Sequence, residues 1–469
     1  MGFVFFDVET TGLKSAFDQI VHFAAIRTDD DLNVIDQFEI RSRLNTHVVP
    51  HPMALLTNGL SVERLLDPTL PSHYEMVVSI RAKLITWSPA IFVGYNSIRY
   101  DEEMLRQAFF QTLHDPYLTS KHGNARMDAL GLVLSASAFE PASLVVPLNA
   151  EGRPSYKLDM LAPANGTLHD QAHDAMADVR ATLHLCQRVR TQAAEVWNRH
   201  IRFSKKASVA DFVGNEDGFL LTEFFGNVAY HTAVTIIGDD PDQPNGRLCL
   251  DLRLDPDWLA SLPDDALTAA LWTKPQPIRR LRVNAAPTVA ALYDVPDDLL
   301  PDLDINQAEE RAQRLRNDPD LRSRIVLAYT HGRTPWPPSP HVEDQIYNGF
   351  TERADEWRME NFHRVPWENR ARIVEEFDDD RLRVLGRRLI FLEKRSVLPV
   401  ATRQEVEELL SEKLAAPVGT GGSLGLAQAL SETEGLLAEN TNEPLGLYRD
   451  YLRARSDRVT AYRVGRFGG

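Results

Sequence analysis

Phe3-Val-Phe-Phe-Asp7-Val-Glu9-Thr-Thr-Gly-Leu13 is the stretch from which the rest of the chain can be read. Phe3–Asp7 is an apolar run of strand length, and Thr10–Gly12 has turn composition. On an extended chain residues i and i+2 face the same way. Asp7 and Glu9 therefore present two carboxylates side by side at a strand end. Hard oxygen ligands of this kind suit Mg²⁺ or Mn²⁺. A D-x-E pair alone is more often an exposed acidic strand end, so the reading depends on what lies further along.

Ile20–Ile26 and Ala90–Gly94 read as further strands, the latter bounded by Trp87-Ser-Pro and Gly94-Tyr-Asn. Helical spacing runs through Glu102–Thr112 and Ala175–Arg190, which makes residues 1–190 an α/β pattern. Asp101 opens the first of these helices and can reach a metal from a second element. Asp178 lies inside the other helix and His173 just before it. Five residues apart on a helix would face different ways, so His173 belongs to the preceding loop. A neutral histidine near pH 7 is a suitable general base for water. Phosphodiester hydrolysis needs an activated water and a stabilised leaving alkoxide, and two metal ions roughly 4 Å apart serve both ends of an in-line displacement. Asp7, Glu9, Asp101 and Asp178 are the expected ligands of two Mg²⁺ ions, with Mn²⁺ as the alternative, and His173 the expected base.

At 469 residues the chain is too long for one core and should hold about two to four domains. Hydrophobic content of 43% and charged content of 25% are ordinary for a globular protein. There is no signal pattern and no apolar run of membrane length. Cys186 and Cys249 are the only cysteines, which excludes a disulfide framework and points to a cytoplasmic setting. A net charge of −16 argues weakly against nucleic-acid binding, but a basic groove can sit on an acidic body.

Residues 198–340 change character. Leu220–Ala229, His231–Gly238 and Arg247–Leu254 read as strands of a small antiparallel unit, with Asn245-Gly246 as a turn. The acidic stretches Asp255–Asp265 and Asp294–Glu310 read as solvated surface. Residues 341–469 read as helical. Thr402 with Glu405 has a capping-box pattern, followed by an apolar stripe of Val406, Leu409, Leu410 and Leu414. Gly419-Thr-Gly-Gly-Ser-Leu-Gly425 follows a helix and lacks the Gly-Lys-Ser/Thr ending of a phosphate loop, so it is an inter-helix loop.

The order D-x-E, Asp, H-x₄-D resembles the DEDDh exonucleases, which have an RNase H-like fold. Within that superfamily DVETTGL, QIVHFAAIRTD, VGYNSIRYDEEMLRQAFF, GNARMDALGLV, SYKLDMLAPANGTLHDQAHDAMADVRAT and, further on, EDQIYNGFTERAD are similar to bacterial exonuclease I. The resemblance is strong over 1–190, collinear to about residue 400 and weak beyond. It implies three parts: an exonuclease domain over 1–190, a Src-homology-3-like β domain over 198–340 and a helical domain over 341–469. It implies processive 3′→5′ degradation of single-stranded DNA to 5′-mononucleotides with Mg²⁺, in repair and recombination. It further implies a monomer that docks the acidic C-terminal tail of single-stranded DNA-binding protein.

Sequence-independent binding of a single strand calls for aromatic platforms and a positive track. Thr10, Thr11 and Gly12 are placed to meet the 3′-terminal nucleotide, and Tyr95, Asn96 and Tyr100 flank Asp101. By resemblance, His122, Asn124 and Arg126 lie near the DNA path. Arg279, Arg280 and Arg282 form one basic cluster, and Arg381, Arg383, Arg387, Arg388, Lys394 and Arg395 another. Arg449 to Arg466 carries six arginines against two aspartates, either a DNA contact or a helix with a frayed tail. The competing readings are an exoribonuclease of the same superfamily and a non-catalytic single-strand-binding adaptor. The two added domains argue against the first, and retention of every metal acid against the second.

Overall fold

A strand buried on both faces, Phe3–Thr10 (β1), lies at the centre of the first sheet. The computed structural model describes residues 1–167, 174–226, 228–295, 299–301, 303–331, 333, 337–417, 422–439 and 442–467, the last six by backbone alone. β1 runs three residues past the expected end, so Asp7 and Glu9 both stay in the strand. Its partners are Ile20–Thr28 (β2), Val34–Arg41 (β3), Ile91–Gly94 (β4) and Ala125–Asp128 (β5), in the order β3-β2-β1-β4-β5. β1 pairs antiparallel with β2 and parallel with β4.

The period of two in β1 sorts its side chains between two helical layers. Phe3 and Phe5 join the core formed with Ala129–Phe139 (α3) and Ala175–Gln192 (α4). Val4, Phe6 and Val8 join the core formed with His73–Trp87 (α1) and Asp101–Gln111 (α2). Asp7 and Glu9 continue the Phe3–Phe5 face, and so lie on the α4 side.

The second sheet has the order β10-β6-β7-β8-β9 and is antiparallel throughout: Phe219–Phe225 (β6), Val228–Asp239 (β7), Gly246–Asp251 (β8), Ile278–Arg282 (β9) and Thr288–Ala291 (β10). The single strand expected over Leu220–Ala229 is broken, because the chain reverses at Gly226, whose φ of +56° suits glycine. Gly246 is the first residue of β8 and not a turn centre. The connection before it is closed by Gly246 N–H donating to the Gln243 carbonyl at 2.7 Å. The acidic stretches carry more structure than expected. Asp255 and Asp304 cap helices whose Leu259, Ala308, Ala312 and Leu315 enter the core of this unit.

Residues beyond 341 are helical. The Thr402 capping box does not form, because the helix Val400–Leu414 begins after Pro399 and leaves Thr402 inside its first turn. Val406, Leu410 and Leu414 are buried and Leu409 is exposed. Gly422–Gly425 lies between helices; the first three residues of that glycine-rich stretch fall outside the described residues. The final helix, Glu443–Phe467, folds back on the first domain. Tyr448 and Leu452 join Val21, Leu44, Val48, Val49 and Leu55 in one core. No helix among the described residues is long and apolar enough to cross a membrane.

Candidate active site

Three elements converge at the end of β1. Asp178 lies in the first turn of α4, where Asp174 is the N-cap and accepts a bond from Ala177 N–H at 3.3 Å. Carboxylate oxygens of Asp7, Glu9 and Asp178 all lie within 4.8 Å of one another. Asp101 is the first residue of α2, and its Oδ1 accepts the Val8 N–H at 3.2 Å. His173 falls outside the described residues; α4 begins two residues after it.

These acids are crowded and withdrawn from water. Burial comes first in raising Asp7 well above the usual carboxylate range, and repulsion from Asp101, Asp178 and Glu9 adds to it. Burial and then Asp178 and Asp101 push Glu9 up to about 9. Asp101 rises to about 7 through burial, held back by the bond from Val8 N–H. Three carboxylate donors in one small space, with Asp7 and Glu9 hard to ionise without a cation, form a donor set that fits a hard divalent metal.

The turn after Glu9 is braced from α2's side. Tyr100 Oη donates to the Gly12 carbonyl at 2.8 Å and also bonds Thr10 Oγ1. Thr11 Oγ1 donates to Asp18 at 2.9 Å and accepts the Gln19 N–H. A Cβ at Gly12 would meet the Asp18 carboxylate at 2.6 Å, so a side chain here would have to displace Asp18 and its bond from Thr11. The Asp101 segment has its own brace. Asp128 caps α3 and accepts the Asn96 N–H at 2.9 Å and the Ile98 N–H at 3.2 Å. Burial lifts Asp128 to about 6 against those bonds. Asp18 and Asp128 escaped the sequence reading because each resembles an ordinary loop acid.

Several expected DNA contacts have internal partners instead. Asn124 is buried and bonds Ala90 N–H, Ser88 and the Leu118 carbonyl. Arg126 is buried against Glu102 at 2.7 Å and donates to the Asn284 carbonyl, joining the first domain to the second. Arg388 is buried with Glu343 and donates to Gln111 at 2.9 Å. Tyr95 packs on the core and its hydroxyl donates to the Tyr156 carbonyl. Each such side chain would leave a buried partner unsatisfied if it turned toward DNA. Arg280 is tied to Asp240 at 2.7 Å yet remains half exposed. Asn96, His122 and Arg282 are exposed. In the second basic cluster Arg381, Arg383 and Arg387 pair with Asp379, Asp380 and Glu375. Arg455 in the tail is buried and donates to the Val48 carbonyl at 2.9 Å, a packing role and not a frayed one.

Residues 4–186 match the family described as Exonuclease, and residues 205–331 the Exonuclease I SH3-like domain. The chain is 30% identical over 374 residues to exodeoxyribonuclease I of Escherichia coli, covering 76% of this chain and 78% of that one. It is 28% identical over 398 residues to exodeoxyribonuclease I of Haemophilus influenzae, covering 81% and 84%. Among solved structures, E. coli exonuclease I in complex with a dA16 oligonucleotide superposes with a TM-score of 0.83 at 24% identity, over 98% of this chain and 99% of that one. Exonuclease I from Methylocaldum szegediense gives 0.84 at 24% identity with the same coverage.

Proposed function

The chain belongs to the exodeoxyribonuclease I family, and from that premise we propose that it degrades single-stranded DNA from the 3′ end, releasing 5′-mononucleotides. The observation that carries this reading is the cluster of Asp7, Glu9 and Asp178 at the end of β1, with Asp101 beside it. Asp7, Glu9, Asp101 and Asp178 would hold a pair of Mg²⁺ ions. Bound there, the cations would supply positive charge that favours the ionised form of these acids and would stabilise charge on the reacting phosphate.

His173 accepts a proton from the attacking water. The water oxygen bonds to the phosphorus of the terminal nucleotide, and the bond from phosphorus to the 3′-oxygen of its neighbour breaks. That oxygen takes up a proton, so the strand ends in a new 3′-hydroxyl and the released nucleotide keeps the 5′-phosphate. The Thr10–Gly12 turn, held by Tyr100, positions the terminal nucleotide beside Asp7 and Glu9. Asn96, His122, Arg280 and Arg282 extend the contact along the strand.

The same reading assigns 1–190 to the exonuclease domain, 198–340 to the SH3-like domain and 341–469 to the helical domain. It makes the protein a monomer and a partner for the acidic tail of single-stranded DNA-binding protein, and it sets the protein in the cytoplasm, a compartment in keeping with two buried free cysteines.

The test is a gel assay with 5′-labelled single-stranded DNA, duplex DNA and single-stranded RNA, with Mg²⁺ or EDTA, and an Asp178→Ala control. The expected result is a shrinking ladder on single-stranded DNA alone, dependent on Mg²⁺ and lost in the variant. Preferred cleavage of RNA would move the protein to the ribonuclease branch. Binding without cleavage would leave a single-strand-binding adaptor.

A further inference from the structure

Register carries a line of polar side chains away from the metal site. Glu9 in β1 stands opposite His22 in β2, and His22 opposite Arg41 in β3. Glu39, two residues before Arg41, shares its face. Arg41 sits between two carboxylates: one guanidinium nitrogen lies 2.6 Å from Glu39 and the other 3.1 Å from Asp174. His22 Nε2 lies 3.0 Å from the same Glu39 oxygen and is buried.

Asp174 is what makes this arrangement bear on the reaction. Its side chain caps α4 through Ala177 N–H, and its backbone carbonyl accepts the N–H of Asp178 at 3.0 Å. One residue thus holds the first turn of α4, from which a metal ligand projects. The bond from Arg41 ties that turn to the outer strand of the sheet, and Glu39 fixes the guanidinium in turn.

We propose that Arg41 is a positioning residue for the nuclease reaction: through Asp174 it fixes the first turn of α4, and with it Asp178, against Asp7 and Glu9. Arg41 touches no reacting atom in this arrangement. A planar guanidinium reaching two carboxylates from one strand is a rigid tie that a lysine reproduces only in part. The proposal rests on the nuclease reading above.

The experiment measures kcat and KM on single-stranded DNA with saturating Mg²⁺ for the wild type, Arg41→Gln, Arg41→Lys, Asp174→Asn and the double variant Arg41→Gln/Asp174→Asn. Asp174→Asn keeps a capping oxygen while losing the charge that Arg41 engages. A misplacement of an ångström at a ligand costs on the order of 10- to 100-fold in rate, and that fall in kcat is expected for Arg41→Gln. KM should stay within about twofold, because ground-state binding of DNA is untouched. Arg41→Lys should recover part of the loss, and the double variant should be no slower than the worse single one, since both break one tie.

Full kcat in Arg41→Gln overturns the proposal. So does a raised KM at unchanged kcat, which would make Arg41 a DNA contact, and so do additive losses. His22, Glu39 and Asp174 also bring ligand atoms within 4.8 Å of one another. A Mn²⁺-binding titration in which Glu39→Gln releases an ion would make this cluster a metal site instead. An inactive wild type would remove the nuclease reading itself, an outcome distinct from all of these.

Discussion

Burial and the neighbouring carboxylates of Asp178, Asp101 and Asp174 push Glu9 from an ordinary 4.5 up to about 9 in the metal-free protein. The folded state then holds this proton more tightly than the unfolded chain does. By linkage, the stabilisation is fully present below about pH 4.5 and is lost as pH rises through about 9. Metal-free protein in EDTA should therefore melt at progressively lower temperature between those limits. Glu9→Gln should flatten this slope, because an amide has no proton to lose; equal slopes for the two proteins in a thermal-shift series would sink the idea. Added Mg²⁺ should raise the melting temperature more at pH 8 than at pH 5.5, since it binds the ionised acids. Asp178→Asn belongs to the same scale. Removing one like charge should leave the metal-free fold as stable or more so, while activity falls on the order of 10³-fold or more, as for other catalytic groups that act as a unit. Calorimetry and single-turnover rates on one preparation would separate the two effects.

Among the elements, β1 with its turn is the one on which chemistry depends most directly, and it was also the most legible. Phe3, Phe5, Val4, Phe6 and Val8 alternate between two cores, so the strand and the shared face of Asp7 and Glu9 followed from period two. β3 was not legible for the converse reason. Val-Ile-Asp-Gln-Phe-Glu-Ile-Arg is an edge strand with no fully buried residue, and its partner is what makes it a strand. Because β3 was missed, so were Arg41 and Glu39. β5 has four residues, too few for a periodic signal. Arg126, taken from the resemblance, and Arg388, taken from a basic cluster, misled, because they look like phosphate ligands in sequence while buried glutamates on distant segments claim them. The Tyr100 brace predicts an effect at this scale. Tyr100→Phe removes the hydroxyl that bonds Thr10 and the Gly12 carbonyl. Each bond contributes about 1 kcal/mol, so the melting temperature should fall by a few degrees for a loss of that size. If the turn orients the terminal nucleotide, KM for a short oligonucleotide should rise with it; an unchanged KM would limit Tyr100 to a packing role.

At the scale of the whole molecule, the chain's last helix closes on its first domain. Tyr448 and Leu452 are fully buried against Val21, Leu44, Val48, Val49 and Leu55, so one core joins residues some four hundred positions apart. Arg455 adds two bonds to backbone carbonyls, of Val48 at 2.9 Å and of Thr46, and it is buried. The arginine-rich character of this segment thus reflects, at Arg455, a demand from orphaned carbonyls and not from phosphate. A buried acceptor left without its donor costs about 1–3 kcal/mol. Arg455→Met keeps the aliphatic bulk and removes only the donors, so it should lower stability by that order without a change in the salt dependence of DNA binding. Removing residues 443–469 should do more, because it uncovers the apolar side chains of a domain that carries the metal ligands. Val21 precedes His22, which stands opposite Glu9, so the loss reaches the strand beside the site. The expected outcome is a truncated protein that melts well below the full chain and loses nuclease activity at a temperature where the full chain keeps it. A truncated form with the melting temperature of the full chain would mean that the first domain is stable alone and that the final helix is an appendage to it.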